Sequence, residues 1–403
     1  AKTHLIRRFA AHPVNKFGNK MSNGKIERIS IPSFTRRTGR MMLVVISILL
    51  ACSLILLVLL QLWSYPGEPR PFVDKDGKPL PRSISEKAFV NINGVEQGMI
   101  IKSTDVTNPV LLYLHGGMPD YFLTQNYPIG LEEYFTVVWW EQRGSGLSYS
   151  ADISPETMSV EQFISDAFEV TNYLRRRFSK DKIYLMGHSG GTFIAIQAAA
   201  REPKLYFAYI GVAQISCQLK SEILAYEYML SQFKATGNSR MVQRLESSPV
   251  SMTAGTPDTY LSVRDEAMHS LGVGTTHDMK SVLSGIFLPS LQFREYTLSE
   301  KINLWRGKFR SGVSSLWDEI IATDLNKKVP ELDLPVYFFH GIHDYTVSYA
   351  EAKSYFHQLK APIKGFYTFE KSAHSPIFEE PERTLKIVSQ DILVRANDHA
   401  DVK

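Results

Sequence analysis

Residues 187–191 read Gly-His-Ser-Gly-Gly, directly after the apolar run at 183–186 and directly before the helix-forming stretch at 192–200. A strand that turns straight into a helix leaves no room for side chains beside the turn. Small residues must therefore flank the central serine, and the turn lifts its hydroxyl clear of the backbone. The helix that follows aims its free N–H groups and the positive end of its dipole at whatever lies next to that hydroxyl. Ser189 is thus a candidate nucleophile, and the junction belongs in an α/β sheet.

A serine of this kind needs a base, and the base needs an acid to orient it. Downstream, the run at 335–341 reads as a buried strand, with Asp344 three residues past its terminal glycine, and a second such strand at 365–370 is followed four residues later by His374. Each side chain falls just beyond a strand's carboxyl end, where open α/β sheets place their sites. Taken singly, Asp344 reads as a turn former and His374 as a loop residue. Their joint position selects Ser189, Asp344 and His374 as the catalytic set. His188 lies inside the turn and His340 and His343 precede the acid, so these three are assigned to packing or support.

Upstream, the apolar run at 110–114 ends in His115-Gly116-Gly117, and the run at 135–140 ends in Glu141-Gln142-Arg143-Gly144-Ser145-Gly146-Leu147-Ser148. These are the expected third and fourth strands. The first loop offers a backbone N–H at Gly117, and Gly190, the residue after the serine, offers another. Together they form a candidate oxyanion hole, with glycine suited to both places because the backbone itself must approach a substrate.

These motifs resemble those of the α/β-hydrolase superfamily, and within it the prolyl-iminopeptidase-like group, which carries H-G-G-P-G and D-Q-R-G-x-G-x-S. The likeness covers roughly residues 88–395, and the order Ser189, Asp344, His374 is the order that superfamily uses. Two departures stand out: Met118-Pro119-Asp120 follows the His-Gly-Gly, and Gly190 stands where many relatives carry Trp. The resemblance implies a mostly parallel, doubly wound sheet with a helical cap inserted after the sixth strand. It also implies acyl-enzyme chemistry without a cofactor and an aminopeptidase of the proline iminopeptidase type acting on short peptides. A carboxylesterase or amidase for small acyl groups is the second reading. A membrane-tethered binding protein on an inactive hydrolase fold is the third.

The remaining stretches fit one domain. Asn93-Gly94 between alternating runs predicts a hairpin, and Ser159-x-x-Gln162 predicts a capping box at the head of an amphipathic helix. Between the sixth strand, near 207–213, and the seventh at 335 no strand alternation occurs. Residues 215–328 are read as the cap, and 88–214 with 329–396 as the core. An aminopeptidase must pair its substrate's ammonium group, since a cation buried without a partner costs several kcal/mol. The first cap segment offers Glu222 and Glu227, and Glu227, set between Tyr226 and Tyr228, is selected as the substrate-binding carboxylate. Most of the cap aromatics, Tyr226, Tyr228, Phe287, Phe293 and Tyr296, are assigned to the cap's own packing.

Residues 41–60 carry no charge, enough at about 1.5 Å per residue to cross a hydrocarbon core near 30 Å thick. A transmembrane helix is expected over 41–63, with Trp63 and Tyr65 at the interface and a linker over 64–87. The run is too long for the core of a cleaved signal peptide. A lipobox-like 49–52 ending in Cys52 is disfavoured because the apolar run continues beyond it. Residues 1–40 hold ten Lys or Arg against Glu27 alone, so the positive-inside rule puts this basic arm in the cytoplasm and the catalytic domain outside. Residues 41–403 carry 35 basic and 40 acidic side chains. The basic character belongs to the arm and not to a nucleic-acid surface. Cys52 and Cys217 are the only cysteines, excluding a disulfide within the domain, and no ligand spacing suggests a metal. The lack of any N-x-S/T sequon points to a bacterial plasma membrane.

Overall fold

The structure, a computed structural model, describes residues 33–403. Most of the basic arm expected over 1–40 lies outside the described residues. The chain divides into two units, Ala1–Leu57 and Val58–Lys403. Helix α1 (Ser33–Trp63) begins before the uncharged run and carries it through. From Thr38 to Trp63 the helix is long and apolar enough to cross a membrane, and residues 41–59 are all exposed.

Eight strands form one sheet in the order β1-β2-β4-β3-β5-β6-β7-β8. They are β1 (Ile84–Ile92), β2 (Val95–Ser103), β3 (Val110–Leu114), β4 (Thr136–Trp140), β5 (Ile183–His188), β6 (Tyr206–Val212), β7 (Val336–Gly341) and β8 (Lys364–Phe369). The pairs β1–β2 and β2–β4 are antiparallel and all others parallel. The first pair is the expected hairpin: Asn93 (φ 47°) and Gly94 (φ 81°) supply the two positive φ values of a type I′ turn. Strands β3, β4, β5 and β7 are buried along their whole length, which explains why they read as continuous apolar runs: helices cover both faces of a parallel sheet. Alternate residues feed two cores, with Leu112, Val138 and Leu185 on one face and Tyr113, Trp139 and Met186 on the other.

Helix α2 (Val160–Arg177) packs on the first face with α3 (Gly190–Arg201). Ser159 caps α2 by accepting from the Gln162 N–H at 3.3 Å, but the Gln162 amide turns to Asp166 at 2.8 Å. Only half of the capping box forms, because a buried carboxylate competes for the glutamine.

Seven helices fill the interval between β6 and β7: α4 (Gln218–Ala235), α5 (Ser239–Glu246), α6 (Asp258–Leu271), α7 (Leu288–Gln292), α8 (Leu298–Arg310), α9 (Trp317–Ala322) and α10 (Leu325–Lys328). They carry a core of their own that includes Met229, Phe233, Tyr260 and Met268, with Tyr226 and Tyr228 packed against it.

Residues 64–87, read as a linker, are bound down. Strand β1 starts within them at Ile84, the Arg70 carbonyl accepts from Lys102 at 2.7 Å, and the Gly67 carbonyl accepts from Lys87 at 2.6 Å. Just upstream, Trp63 donates its indole N–H to the Gln292 carbonyl at 2.8 Å. Fully buried Lys301 donates to the Ser64 hydroxyl and the Leu291 carbonyl, both at 2.7 Å, and burial pushes its pKa down to about 8. Polar acceptors this scarce explain why the segment is fastened to the cap. Ser64→Ala, which removes one of them, is expected to cost about 1–3 kcal/mol and to lower the melting temperature of a chain starting at Val58 by several degrees. An unchanged melting curve would show that Lys301 does not depend on this bond.

Candidate active site

Strand β5 runs into α3 through Ser189, which holds φ 55° and ψ −125°, a left-sided conformation that costs a non-glycine residue about 1–3 kcal/mol. Three bonds hold it: the Ser189 N–H donates to the Val212 carbonyl at 3.0 Å, and the Ser189 carbonyl accepts from the Thr192 N–H at 2.8 Å and the Thr192 hydroxyl at 2.6 Å. Two glycines at this junction are sterically required. A β-carbon on Gly191 would run into the Leu114 and His115 carbonyls, and one on Gly116 would stand 2.7 Å from the Ser189 β-carbon.

Asp344 lies in the turn after β7 and His374 in the loop after β8, both buried. His374 Nδ1 is 2.9 Å from Asp344 Oδ2. The other carboxylate oxygen, Oδ1, accepts from the Val347 N–H at 2.9 Å, and His340 Nε2 comes to 3.2 Å of Oδ2. Burial opposes ionisation of Asp344, yet His374 and His340 hold its carboxyl well below the usual range. Burial lowers the His374 pKa and the Asp344 charge only partly offsets it, so the net direction is down. At neutral pH the ring is a free base, with its Nδ1 proton directed at Asp344.

Ser189, His374, Gly117 and Gly190 line one cavity of about 520 Å³ between the strand ends and the cap. Among the described residues neither the Ser189 hydroxyl nor His374 Nε2 makes a hydrogen bond, and neither the Gly117 nor the Gly190 N–H donates one. The five residues chosen from the sequence as triad and oxyanion donors therefore lie together, apart from Asp344, which stands behind His374.

Glu227 does not belong with them. It is exposed on α4 and absent from the cavity wall. Glu222 is the inward carboxylate of this helix, but it is fully buried and spent on Gln218 (2.9 Å), Tyr260 (2.8 Å) and two bonds from Arg264 (2.6 and 2.8 Å). The two glutamates are five positions apart, about 140° around a helix, so only one could face inward.

Sequence reasoning assigned His188 to packing or support but could not identify its partners. His188 Nδ1 lies 2.8 Å from Asp120 Oδ2, and His188 Nε2 lies 2.9 Å from the His374 carbonyl oxygen. Both ring nitrogens face acceptors, so both must carry protons and the ring is an imidazolium. Burial alone would lower its pKa, but the bond and charge of Asp120 outweigh burial and raise it. His115 is the opposite case: its Nδ1 donates to the Gly116 carbonyl at 2.8 Å, its Nε2 accepts from the Gln142 N–H at 3.1 Å, and burial drops its pKa to about 4. The Asp120–His188 pair ties the loop after β3 to the turn after β5 and, through the His374 carbonyl, to the loop after β8.

With this arrangement in view, comparison with known proteins defines the class. The α/β-hydrolase fold family matches residues 109–381, and the chain belongs to that family. It is 34% identical over 307 residues to a Bacillus subtilis protein named "Probable aminopeptidase YbaC", covering 75% of this chain and 95% of the relative. Esterase EstD of Thermotoga maritima is 22% identical over 241 residues, 55% of this chain and 54% of that protein. The proline iminopeptidase of Mycobacterium smegmatis shares the fold with a TM-score of 0.52 at 15% identity, over 77% of this chain and 98% of that one.

Removing one member of a buried ion pair costs more than removing both. Asp120→Asn is therefore expected to destabilise the protein by about 3–5 kcal/mol, and the double variant Asp120→Asn, His188→Asn by less than the sum of the two single changes. Chemical denaturation checks this, and strict additivity would mean the pair carries no coupling.

Proposed function

We propose that this chain is a serine hydrolase working through an acyl-enzyme. Ser189 attacks the substrate carbonyl carbon while His374 Nε2 takes its proton, and His374 then returns that proton to the leaving group. Asp344 fixes the imidazole tautomer and stabilises its cation, and the Gly117 and Gly190 N–H groups receive the oxyanion. Water, activated by the same histidine, releases the acyl group. The observation that carries this reading is the 2.9 Å bond from His374 to buried Asp344 beside an uncommitted serine hydroxyl in a strained turn. The free Ser189 and His374 atoms come into register when substrate fills the cavity, as catalytic contacts often tighten only in the complex.

An aminopeptidase acting on short peptides is supported by the 34% identity to the Bacillus subtilis relative. With Glu227 outside the cavity, the carboxylate available to an ammonium group is Asp265 on α6, which lines the cavity and gives one oxygen to Arg264 at 3.0 Å. The esterase reading is favoured by the mostly apolar wall, to which Met118, Phe122, Leu261, Met268 and Trp305 contribute. Aminoacyl amides set against p-nitrophenyl esters decide between the two.

Ser189→Ala is expected to lower kcat about a millionfold and to abolish labelling by a fluorophosphonate probe, with the melting temperature preserved. Asp344→Asn should cost about ten-thousandfold. Because the His374 pKa is lowered, kcat/KM should be flat above pH 6.5 and fall only in more acidic buffer, as the base becomes protonated. Retained labelling in Ser189→Ala, or a profile that collapses already near pH 7, would overturn the assignment.

The exposed apolar helix supports a membrane anchor, with the arm at 1–40 on the cytoplasmic side and the catalytic unit outside a bacterial plasma membrane. Protease added to intact cells or protoplasts should digest residues 70–403 and spare the arm. Protection of the catalytic unit would reverse the orientation.

A further inference from the structure

Besides His188, four charged side chains line the cavity around Ser189: Asp120, Arg264, Asp265 and Lys308. Three are engaged. Asp120 accepts from Tyr113 at 2.6 Å and pairs with His188. Arg264 gives two bonds to Glu222 and one to Asp265, which takes up one of that carboxylate's two oxygens. Lys308 is different. Among the described residues its ammonium group makes no hydrogen bond and no ion pair within 4.0 Å.

Its position is also unusual. Lys308 falls in the last turn of α8, where a lysine ordinarily stays in solvent near the helix's negative end, as exposed Arg310 does two residues later. Lys308 instead reaches across to the core. Its Nζ stands 3.2 Å from where a β-carbon on Gly117 would sit, beside the backbone proposed to receive the oxyanion. Burial depresses its pKa, Asp265 offsets this only in part, and Arg264 adds to the depression. An ammonium group half-buried without an acceptor in contact is costly unless a ligand supplies one.

We infer that Lys308 anchors a carboxylate carried by the acyl part of the substrate. The preferred substrates are then half-esters or half-amides of short dicarboxylic acids, or acidic acyl groups of the same shape. This rests on the serine-hydrolase reading above. The acyl side is indicated because the leaving group must lie against His374, which protonates it, whereas Lys308 stands over the separate loop that follows β3. Arg264 cannot take this task, since its donors are already turned to Glu222 and Asp265. Met118, Phe122 and Trp305 on the same wall suit the methylene stem between carbonyl and carboxylate.

The test compares p-nitrophenyl hydrogen glutarate with p-nitrophenyl butyrate, which share a leaving group and differ by a terminal carboxylate. The full-length protein in detergent is expected to favour the glutarate in kcat/KM by about tenfold to a hundredfold, the range of a charge-assisted hydrogen bond. Lys308→Met should erase that ratio through KM, Lys308→Arg should keep most of it, and Lys308→Glu should turn the preference toward a 5-aminopentanoyl ester. Melting curves confirm that each variant is folded. A ratio near one in the unaltered protein, or an equal fall in kcat for both esters in Lys308→Met, would overturn the inference, the latter by making Lys308 an aid to the oxyanion. Absence of fluorophosphonate labelling and of turnover on both esters would instead overturn the hydrolase reading itself.

Discussion

Where the turn after β5 meets the loop after β3, no β-carbon fits, and the remainder of the site hangs on that contact. Gly191 abuts the Leu114 and His115 carbonyls and Gly116 abuts the Ser189 side chain. The two loops are thereby pressed together with their N–H groups unspent. The strain at Ser189 persists because hydrogen bonds to Val212 and Thr192 over-determine the turn. A side chain at either glycine would separate Ser189 from the backbone of the loop after β3.

The loops beyond the strand ends are joined by hydrogen bonds between buried polar groups. Arg143, in the loop after β4, lies against Asp166 on α2 at 2.7 and 3.0 Å, and Gln97 adds a further donor to that carboxylate at 2.8 Å. Gln142 donates to the His115 carbonyl at 2.8 Å. Glu141 accepts from Tyr296 of the cap and from the Leu147 N–H at 2.6 Å, while burial pushes its carboxyl up to about 8. The second motif thus fastens core to cap and braces the loop after β3, and none of its side chains lines the cavity.

Charge on two neighbouring histidines follows the same logic. His188 faces two acceptors and His115 one donor and one acceptor. The first is therefore a cation and the second neutral, although both are buried. His374, between them in character, keeps Nε2 free because its other nitrogen is committed to Asp344. One site thus holds one charged and two neutral histidines, their states set by burial together with the partners each ring meets.

Local chemistry was legible in the chain. Asn-Gly has few alternatives to a type I′ turn, fully buried strands must read as apolar runs, and a serine between glycines at a strand–helix junction admits one geometry. Those features put Ser189, Asp344, His374, Gly117 and Gly190 beyond strand ends, each end being set by residues within a few positions of it, while Asp344 and His374 were singled out only by their joint order. What lay beyond reach was set by partners far along the chain. Glu222 faces inward and Glu227 outward because Arg264, 42 positions after Glu222, supplies a counter-charge. Residues 64–87 are fastened and not loose because Lys301, 237 positions after Ser64, needs an acceptor. Periodicity reports which residues share a face, but the choice between faces is made by long-range charge and hydrogen-bond satisfaction, which exists only once the tertiary structure has closed.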